Sequence, residues 1–284
     1  MTRQNRFSVF SLILPDLDFD EQVGLLHDTG WDGIEIRVAD LEPGKKNEPY
    51  SFWGNRRDGI GPSNIPGLVP SIKAACNKAD IQVSALAPYA MSTEPKAFEL
   101  SARAAAALDC GLVRVMAPWY VDDAKFEKLF SAARTGLKKI EPVARRYKVK
   151  AALEIHMNGI ASSPSGARRL VEGFDPACIG ITLDPGNMVY EGFEQWRMAC
   201  EILGPYLAHV HMKNAVWKKQ ADNPPKPAVW KCEGAPLREG YANWAEVMAA
   251  LRAVKYRGWL SLEDFTPGPH REKLSSILAF LKSL

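Results

Sequence analysis

Short apolar runs rich in β-branched residues alternate along the chain with longer stretches in which apolar residues recur every three or four positions. The short runs predict buried β-strands, and the longer stretches predict amphipathic α-helices. Each predicted strand is followed by a predicted helix, and the pair occurs eight times with no segment left over. The predicted strands are residues 7–14, 33–39, 81–89, 112–120, 149–157, 179–188, 207–214 and 259–265.

Eight strand–helix units are typical of an α/β fold, the (β/α)8 TIM barrel, and we expect a single such domain over residues 1–284. An open doubly wound sheet is the alternative, but no glycine-rich phosphate or dinucleotide turn follows the first predicted strand. Two long connections, residues 41–65 and 215–242, follow carboxyl ends of strands, where barrel loops build active sites. Both carry large side chains such as Trp53, which favours a functional role over a tolerated insertion.

The composition of the chain argues against nucleic-acid binding and against a membrane protein. The chain is 46% hydrophobic and 24% charged, as ordinary soluble globular proteins are, and its net charge of +3 is too mild for a nucleic-acid footprint. The apolar run near the N-terminus is too short to span a membrane. The five cysteines are scattered with no C-x-x-C pair, which predicts a reducing, cytoplasmic setting and no cysteine-based zinc site. We therefore expect neither a nucleic acid nor a membrane as partner.

The last four predicted strands each end in a carboxylate or an imidazole. The residues concerned are Glu154, Asp184, His211 and Glu263. Because the carboxyl ends of barrel strands meet at one mouth, three carboxylates there would repel one another unless a cation lies between them. The mixed oxygen and nitrogen set suits one divalent ion, Mn²⁺, Mg²⁺ or Co²⁺, and zinc less well.

Each of these residues also has a purely structural interpretation. A lone glutamate is more often an ion-paired or rim carboxylate, and Asp184 before Pro185-Gly186 is more often a turn former. His209 shares a strand face with His211, yet we interpret it as a packed core histidine. The coincidence across four consecutive strands favours the metal site for the set as a whole.

Five motifs, taken in order, resemble the xylose-isomerase-like TIM barrels. That superfamily of sugar isomerases and epimerases includes ketose 3-epimerases, inosose dehydratase and, more distantly, endonuclease-IV-type DNA repair enzymes. The motifs are WDGIEIR (31–37), LEIHM (153–157), GITLDPGNM (180–188), HVHMKN (209–214) and GWLSLEDF (258–265). The resemblance covers essentially the whole chain. It implies that the four residues above bind the metal, that the substrate is a small carbohydrate, and that the chain forms a homodimer or homotetramer.

The resemblance also implies a substrate site beside the metal. Its expected residues are Arg37, Trp53, Trp119, His156, Asn187 and Lys213. Two positions depart from the relatives: ketose epimerases usually carry a histidine where this chain has Asn187, and many relatives carry Lys-Asp where it has Lys213-Asn214. The first departure argues against a plain ketose 3-epimerase. Glu35, near Arg37, has two equally good explanations: a residue of the substrate site, or a buried partner of another charged side chain.

The implied activity is that of a divalent-metal-dependent isomerase or epimerase of a sugar or sugar derivative. Glu154 and Glu263 would act as base and acid on opposite sides of the sugar, through a metal-stabilised enediolate formed by proton abstraction next to a carbonyl. Loss of a β-oxygen from the same intermediate would instead make the protein a dehydratase or lyase of a keto-inositol or keto-glycoside. A non-catalytic sugar-binding barrel is a further alternative. An abasic-site nuclease is disfavoured, because those enzymes carry a histidine just before the Ala-Pro-Tyr of residues 87–89, where this chain has Leu86.

Overall fold

Eight parallel strands of the described residues close into a barrel. The structure is a computed structural model that describes residues 5–121 and 123–284, so residues 1–4 and 122 of the expected domain lie outside the described residues. The barrel strands are β1 (Arg6–Phe10), β2 (Gly33–Val38), β3 (Gln82–Pro88), β4 (Leu112–Met116), β5 (Lys150–Glu154), β6 (Ile179–Leu183), β7 (Leu207–Met212) and β10 (Trp259–Leu262). The order around the barrel is β1-β10-β7-β6-β5-β4-β3-β2, and the predicted (β/α)8 barrel is confirmed.

Helices surround the barrel and bury their apolar faces against it. They are α1 (Phe19–Thr29), α2 (Ile65–Ala79), α3 (Pro95–Ala107), α4 (Phe126–Tyr147), α5 (Pro164–Val171), α6 (Pro185–Glu191), α7 (Trp196–Leu203), α8 (Trp244–Ala253) and α9 (His270–Ser283). In α4 the buried residues recur at helical spacing, for example Ala133, Leu137, Ile140 and Ala144. Within the described part of the chain, none of the helices has the length and apolar composition needed to cross a membrane.

Several predicted strands extend too far at their carboxyl ends. The predicted strand 179–188 stops at Leu183, and Pro185 opens the short helix α6 because its fixed φ and missing N–H suit the first helical position. The first predicted strand, 7–14, likewise stops at Phe10 and continues as a 3-10 turn. After β1 the apolar residues Leu12, Ile13 and Leu14 continue past the strand, so hydrophobicity alone does not mark where the pairing ends.

The second long connection contains a β-hairpin that the sequence pattern did not reveal. Strands β8 (Ala215–Asn223) and β9 (Lys226–Gly234) pair antiparallel and form a two-stranded sheet of their own. Most of the side chains on this hairpin are exposed, so its sequence lacks the apolar alternation of a half-buried strand. The indole N–H of Trp217 donates to the backbone oxygen of Val189 at 2.8 Å and ties the hairpin to α6.

Candidate metal centre

Four side chains at the carboxyl ends of neighbouring strands converge inside the barrel mouth. Glu154 ends β5, Asp184 follows β6, His211 lies in β7, and Glu263 follows β10. One ligand atom of each lies within 4.8 Å of the others, and all four residues are buried. The Nδ1 atom of His211 is 3.2 Å from Glu154 Oε1, 3.6 Å from Asp184 Oδ2 and 3.7 Å from Glu263 Oε2. Three carboxylates and one imidazole fit the donor preferences of Mg²⁺, Mn²⁺ or Co²⁺.

Asp184 combines the two interpretations that its sequence context allows. Its Oδ1 accepts the backbone N–H of Asn187 at 2.8 Å and so caps the first turn of α6. Its Oδ2 accepts a hydrogen bond from the side-chain amide of Asn187 at 2.7 Å and lies 3.6 Å from His211 Nδ1. The helix cap therefore fixes the carboxylate plane and leaves one oxygen directed at the cluster.

Two cationic side chains lie beside these carboxylates, the buried Arg114 and the partly buried Lys213. The Arg114 guanidinium is 3.2 Å from Glu154 Oε2, and the Lys213 ammonium is 3.0 Å from Glu263 Oε2 and 3.9 Å from Asp184 Oδ2. With Glu35, four buried carboxylates lie at this centre beside these two cations. The carboxylates therefore outnumber the arginine and the lysine, and a divalent cation would offset the excess of negative charge.

Burial and neighbouring charges move the pKa values of this cluster in different directions. Burial by itself would raise the pKa of Glu154, but the charges of Arg114 and His211 hold that pKa below its ordinary value. For Glu263 burial prevails, and its pKa is raised even though Lys213 opposes the shift. Burial would lower the pKa of His211, yet the charge of Glu35 and the hydrogen bonds to the carboxylates raise it well above the ordinary value.

Glu35 pairs with both histidines of the β7 strand. Its Oε2 lies 2.9 Å from His209 Nε2, and its Oε1 lies 3.2 Å from His211 Nε2. Burial alone would raise the pKa of Glu35, but the two imidazoles lower it well below the ordinary value. Of the two explanations that the sequence left for Glu35, the geometry agrees with the buried pairing partner, and His209 is buried as a core histidine would be.

The residues expected to bind substrate fall into two groups. Asn187 and Lys213 lie against the cluster itself, through their contacts with Asp184 and Glu263. The others form two pairs, Arg37 of β2 with Trp53, and His156 with Trp119. The Arg37 guanidinium lies 5.7 Å from the ring of Trp53 and donates to the Phe52 backbone oxygen at 2.7 Å.

The second of these pairs joins the connections after β4 and β5. The ring of Trp119 meets that of His156 edge to face, with the ring centroids 5.0 Å apart. Trp53 is 55% exposed and Trp119 is 38% exposed, so both indoles present apolar surface to solvent. An exposed aromatic face is a surface on which the apolar C–H face of a sugar can pack.

Arg114 is a residue of this centre that the sequence reasoning missed. It lies in the middle of the apolar strand Leu112–Met116 and is only 3% exposed. A signal was available, because an arginine inside a β-branched run must find a buried anion when the strand is covered on both faces. The same argument applies to Glu35 within β2.

Comparisons with known proteins agree with this fold. The model of one protein family, described as "Xylose isomerase-like TIM barrel", matches residues 23–284. No curated protein matches the chain by sequence. Solved structures with 14–17% identity to this chain share its fold.

Three of these structures cover almost the whole chain. A 3-keto-D-glucoside 4-epimerase from E. coli has 17% identity and a TM-score of 0.73, and the match covers 99% of this chain and 100% of the epimerase. A protein assigned as a 3-DHS dehydratase from Bacillus anthracis has 16% identity and a TM-score of 0.71, with 98% of each chain covered. A xylose isomerase-like TIM barrel protein from Mycobacterium smegmatis, in complex with magnesium, has 14% identity and a TM-score of 0.71, with 99% and 98% covered.

Proposed function

The chain belongs to the family of xylose isomerase-like TIM barrels, and from this we propose that it is a divalent-metal-dependent epimerase or isomerase of a sugar or sugar derivative. The observation that carries the proposal is the buried cluster of four ligand atoms within 4.8 Å of one another. The residues that would hold the ion are Glu154, Asp184, His211 and Glu263. The ion is Mn²⁺, Mg²⁺ or Co²⁺, and zinc fits less well. The magnesium bound by one structural relative supports this choice of metals.

When bound, a divalent cation polarises a substrate carbonyl and stabilises the negative charge that develops as a neighbouring C–H proton leaves. The chain itself supplies the proton transfers. Glu154 and Glu263 belong to β5 and β10, which are separated in the barrel by β6 and β7. The family resemblance implies that their carboxyl groups reach a substrate carbon from two sides, and their origin on strands that are not neighbours is compatible with this. One can remove a proton from one face and the other can return it to the opposite face, which inverts the carbon.

The remaining proposed residues bind and orient the substrate. Asn187 is fully buried, and its Oδ1 has no hydrogen-bond partner among the described residues. A buried acceptor without a donor is costly, so a substrate hydroxyl is a fitting partner for it. Lys213, which already lies beside Glu263, would donate to a substrate oxygen. Arg37 and His156, with the indoles of Trp53 and Trp119 beside them, would contact the outer part of the sugar.

A second candidate, elimination from a keto-glycoside or keto-inositol, has support from the rim of the site. Trp53 and Trp119 are exposed, and their indoles offer packing surface for a second sugar ring. One structural relative acts on a 3-keto-D-glucoside and another is assigned as a dehydratase. The two candidates share the first proton abstraction and differ only in the step that follows it.

Metal analysis combined with a turnover screen tests the proposal. We expect about one metal ion per chain after loading, as four ligands on one site imply, and its loss in His211→Ala. Ketoses, keto-inositols and 3-keto-glycosides would be incubated with Mn²⁺, Mg²⁺ or Co²⁺ in D₂O. Deuterium next to the carbonyl of an epimer identifies the epimerase, and an unsaturated product identifies the lyase.

Glutamine variants of the two proposed catalytic residues complete the test. Glu154→Gln and Glu263→Gln, assayed at saturating metal, are expected to lose about 10²–10⁴-fold in turnover. The exposed Glu201→Gln serves as a control and is expected to keep wild-type turnover. Full turnover in either active-site variant would refute the assigned roles. Sugar binding without turnover or metal uptake would favour the non-catalytic barrel.

A further inference from the structure

Glu35 connects two imidazole rings inside the barrel through its two carboxylate oxygens. Oε2 lies 2.9 Å from His209 Nε2 and Oε1 lies 3.2 Å from His211 Nε2. All three residues are at most 1% exposed. Strand β2, which carries Glu35, is not a neighbour of β7 in the barrel, so these contacts cross its interior.

These contacts determine where the hydrogen of each imidazole lies. A carboxylate accepts, so both Nε2 atoms carry a hydrogen that they donate to Glu35. For His211 this leaves Nδ1, the atom that faces Glu154, Asp184 and Glu263, as the nitrogen whose lone pair would bind the cation. On His209, a hydrogen at Nδ1 would have no acceptor in the described part of the chain. The Nε2–H form of both rings is therefore the one that the surroundings favour.

His209 completes the arrangement because a carboxylate fixed at one oxygen can still rotate. With both oxygens engaged, the carboxylate plane of Glu35 is set, and with it the direction from which it meets His211. The His209 and His211 rings also lie edge to face, 5.3 Å apart, which resists rotation of either ring. On its other side the His211 ring stacks on Phe10 at 5.9 Å.

We propose that Glu35 and His209 are positioning residues that fix the tautomer and ring plane of His211 and thereby set how tightly the centre binds its cation. This inference rests on the proposed metal site. It assigns to the β2 glutamate and to the first histidine of the HVH motif a task that neither the fold nor the ligand set requires. Their substitution should therefore change metal affinity in a protein that remains folded.

Calorimetric titration of metal-free protein with Mn²⁺ measures this affinity without any assay of turnover. In Glu35→Gln one carboxylate oxygen becomes an amide that donates, so one imidazole N–H loses its acceptor. We expect affinity to fall about 10- to 100-fold, with the Co²⁺ absorption spectrum altered because His211 approaches the ion differently. Thr182→Val is the matched control, since it changes another buried interior side chain whose hydroxyl has no partner among the described residues. This control is expected to keep wild-type affinity and spectrum.

A pair of variants at His209 separates positioning from simple packing. Glutamine keeps a side-chain N–H within reach of Glu35, so His209→Gln is expected to bind Mn²⁺ nearly as wild type does. His209→Leu fills the space without a donor and is expected to bind more weakly. If Glu35→Gln fails to fold, the two His209 variants still show whether the hydrogen bond to Glu35 influences metal affinity.

Two kinds of result would overturn the inference. Equal Mn²⁺ affinity in wild type, Glu35→Gln and His209→Leu would show that the pairing does not influence the metal, while the proposed function would stand. Two ions per chain, the second lost in His209→Leu, would mean that Glu35, His209 and His211 hold a cation of their own. Absence of Mn²⁺ binding by wild type would refute the proposed function itself.

Discussion

Replacement of Arg114 by methionine tests how the barrel tolerates its buried negative charge. Methionine keeps a flexible, unbranched side chain of similar length in the space between Phe10 and Tyr89, which the guanidinium contacts at 5.5 Å and 4.5 Å. The substitution removes the charge that lies 3.2 Å from Glu154. It also removes the donor to the backbone oxygens of Pro88, at 3.1 Å, and Ala87, at 3.3 Å.

The cost can be worked out from this geometry. At 3.2 Å and an effective dielectric constant of about 20, the attraction between the two charges is about 5 kcal/mol. Removing one partner of a buried pair typically costs about 3–5 kcal/mol, because the other charge stays buried without compensation. For a chain of 284 residues, unfolding entropy of about 2.1 cal/mol/K per residue converts this loss into a fall in Tm of about 5–8 °C.

Thermal unfolding followed by circular dichroism, on metal-free protein, measures the effect. Arg197→Met removes an exposed ion pair to Glu201 and is expected to leave Tm unchanged. Saturating Mn²⁺ should narrow the gap between Arg114→Met and wild type, because a cation beside Glu154 replaces part of the lost charge. If metal-free Arg114→Met unfolds at the wild-type temperature, the electrostatic account of this centre is wrong.

Two further predictions concern the packing around the barrel. Burial raises the pKa of the Cys76, Cys110 and Cys200 thiols to about 12, so under mildly alkaline conditions a thiol reagent should modify the partly exposed Cys232 first. Mass spectrometry of native and unfolded protein counts the labels, and early labelling of Cys76, Cys110 or Cys200 would contradict their burial. Alanine at Gly136 should destabilise the protein by about 1–3 kcal/mol, although alanine normally stabilises a helix interior by about 1 kcal/mol relative to glycine, because its Cβ would overlap the backbone oxygen of Ser92. Urea unfolding measures this against Gly67→Ala, whose Cβ would meet no described atom within 4 Å, and equal stability of the two variants would count against the packing argument.

The barrel was predictable because its signal is local. Each predicted strand overlaps a barrel strand. In an α/β fold, a short apolar run between amphipathic helices is buried as a strand of the central sheet. The convergence of Glu154, Asp184, His211 and Glu263 followed from the same logic, because the carboxyl ends of parallel strands must meet. Their roles, like the homo-oligomeric state, stay predictions.

What the sequence could not provide are the side-chain contacts between strands. Glu35 reaches His209 from a strand 174 positions away, and Arg114 meets Glu154 across 40 positions. Such pairings depend on the register and tilt of the closed sheet, which no local pattern encodes. The hairpin after β7 was missed for a different reason, because a strand exposed on both faces has no hydrophobic alternation to detect.

That hairpin has a consequence for how the protein behaves in solution. A closed barrel has no free strand edges, but β8 and β9 pair only with each other in the described part of the chain, so each leaves one row of backbone groups unpaired. Such edges can recruit strands from other molecules and start aggregation. Four lysines lie along the hairpin, Lys218, Lys219, Lys226 and Lys231, and Pro224-Pro225 forms its turn. Charge repulsion between these lysines and those of another molecule discourages such pairing, so colloidal solubility is a property to which they contribute directly.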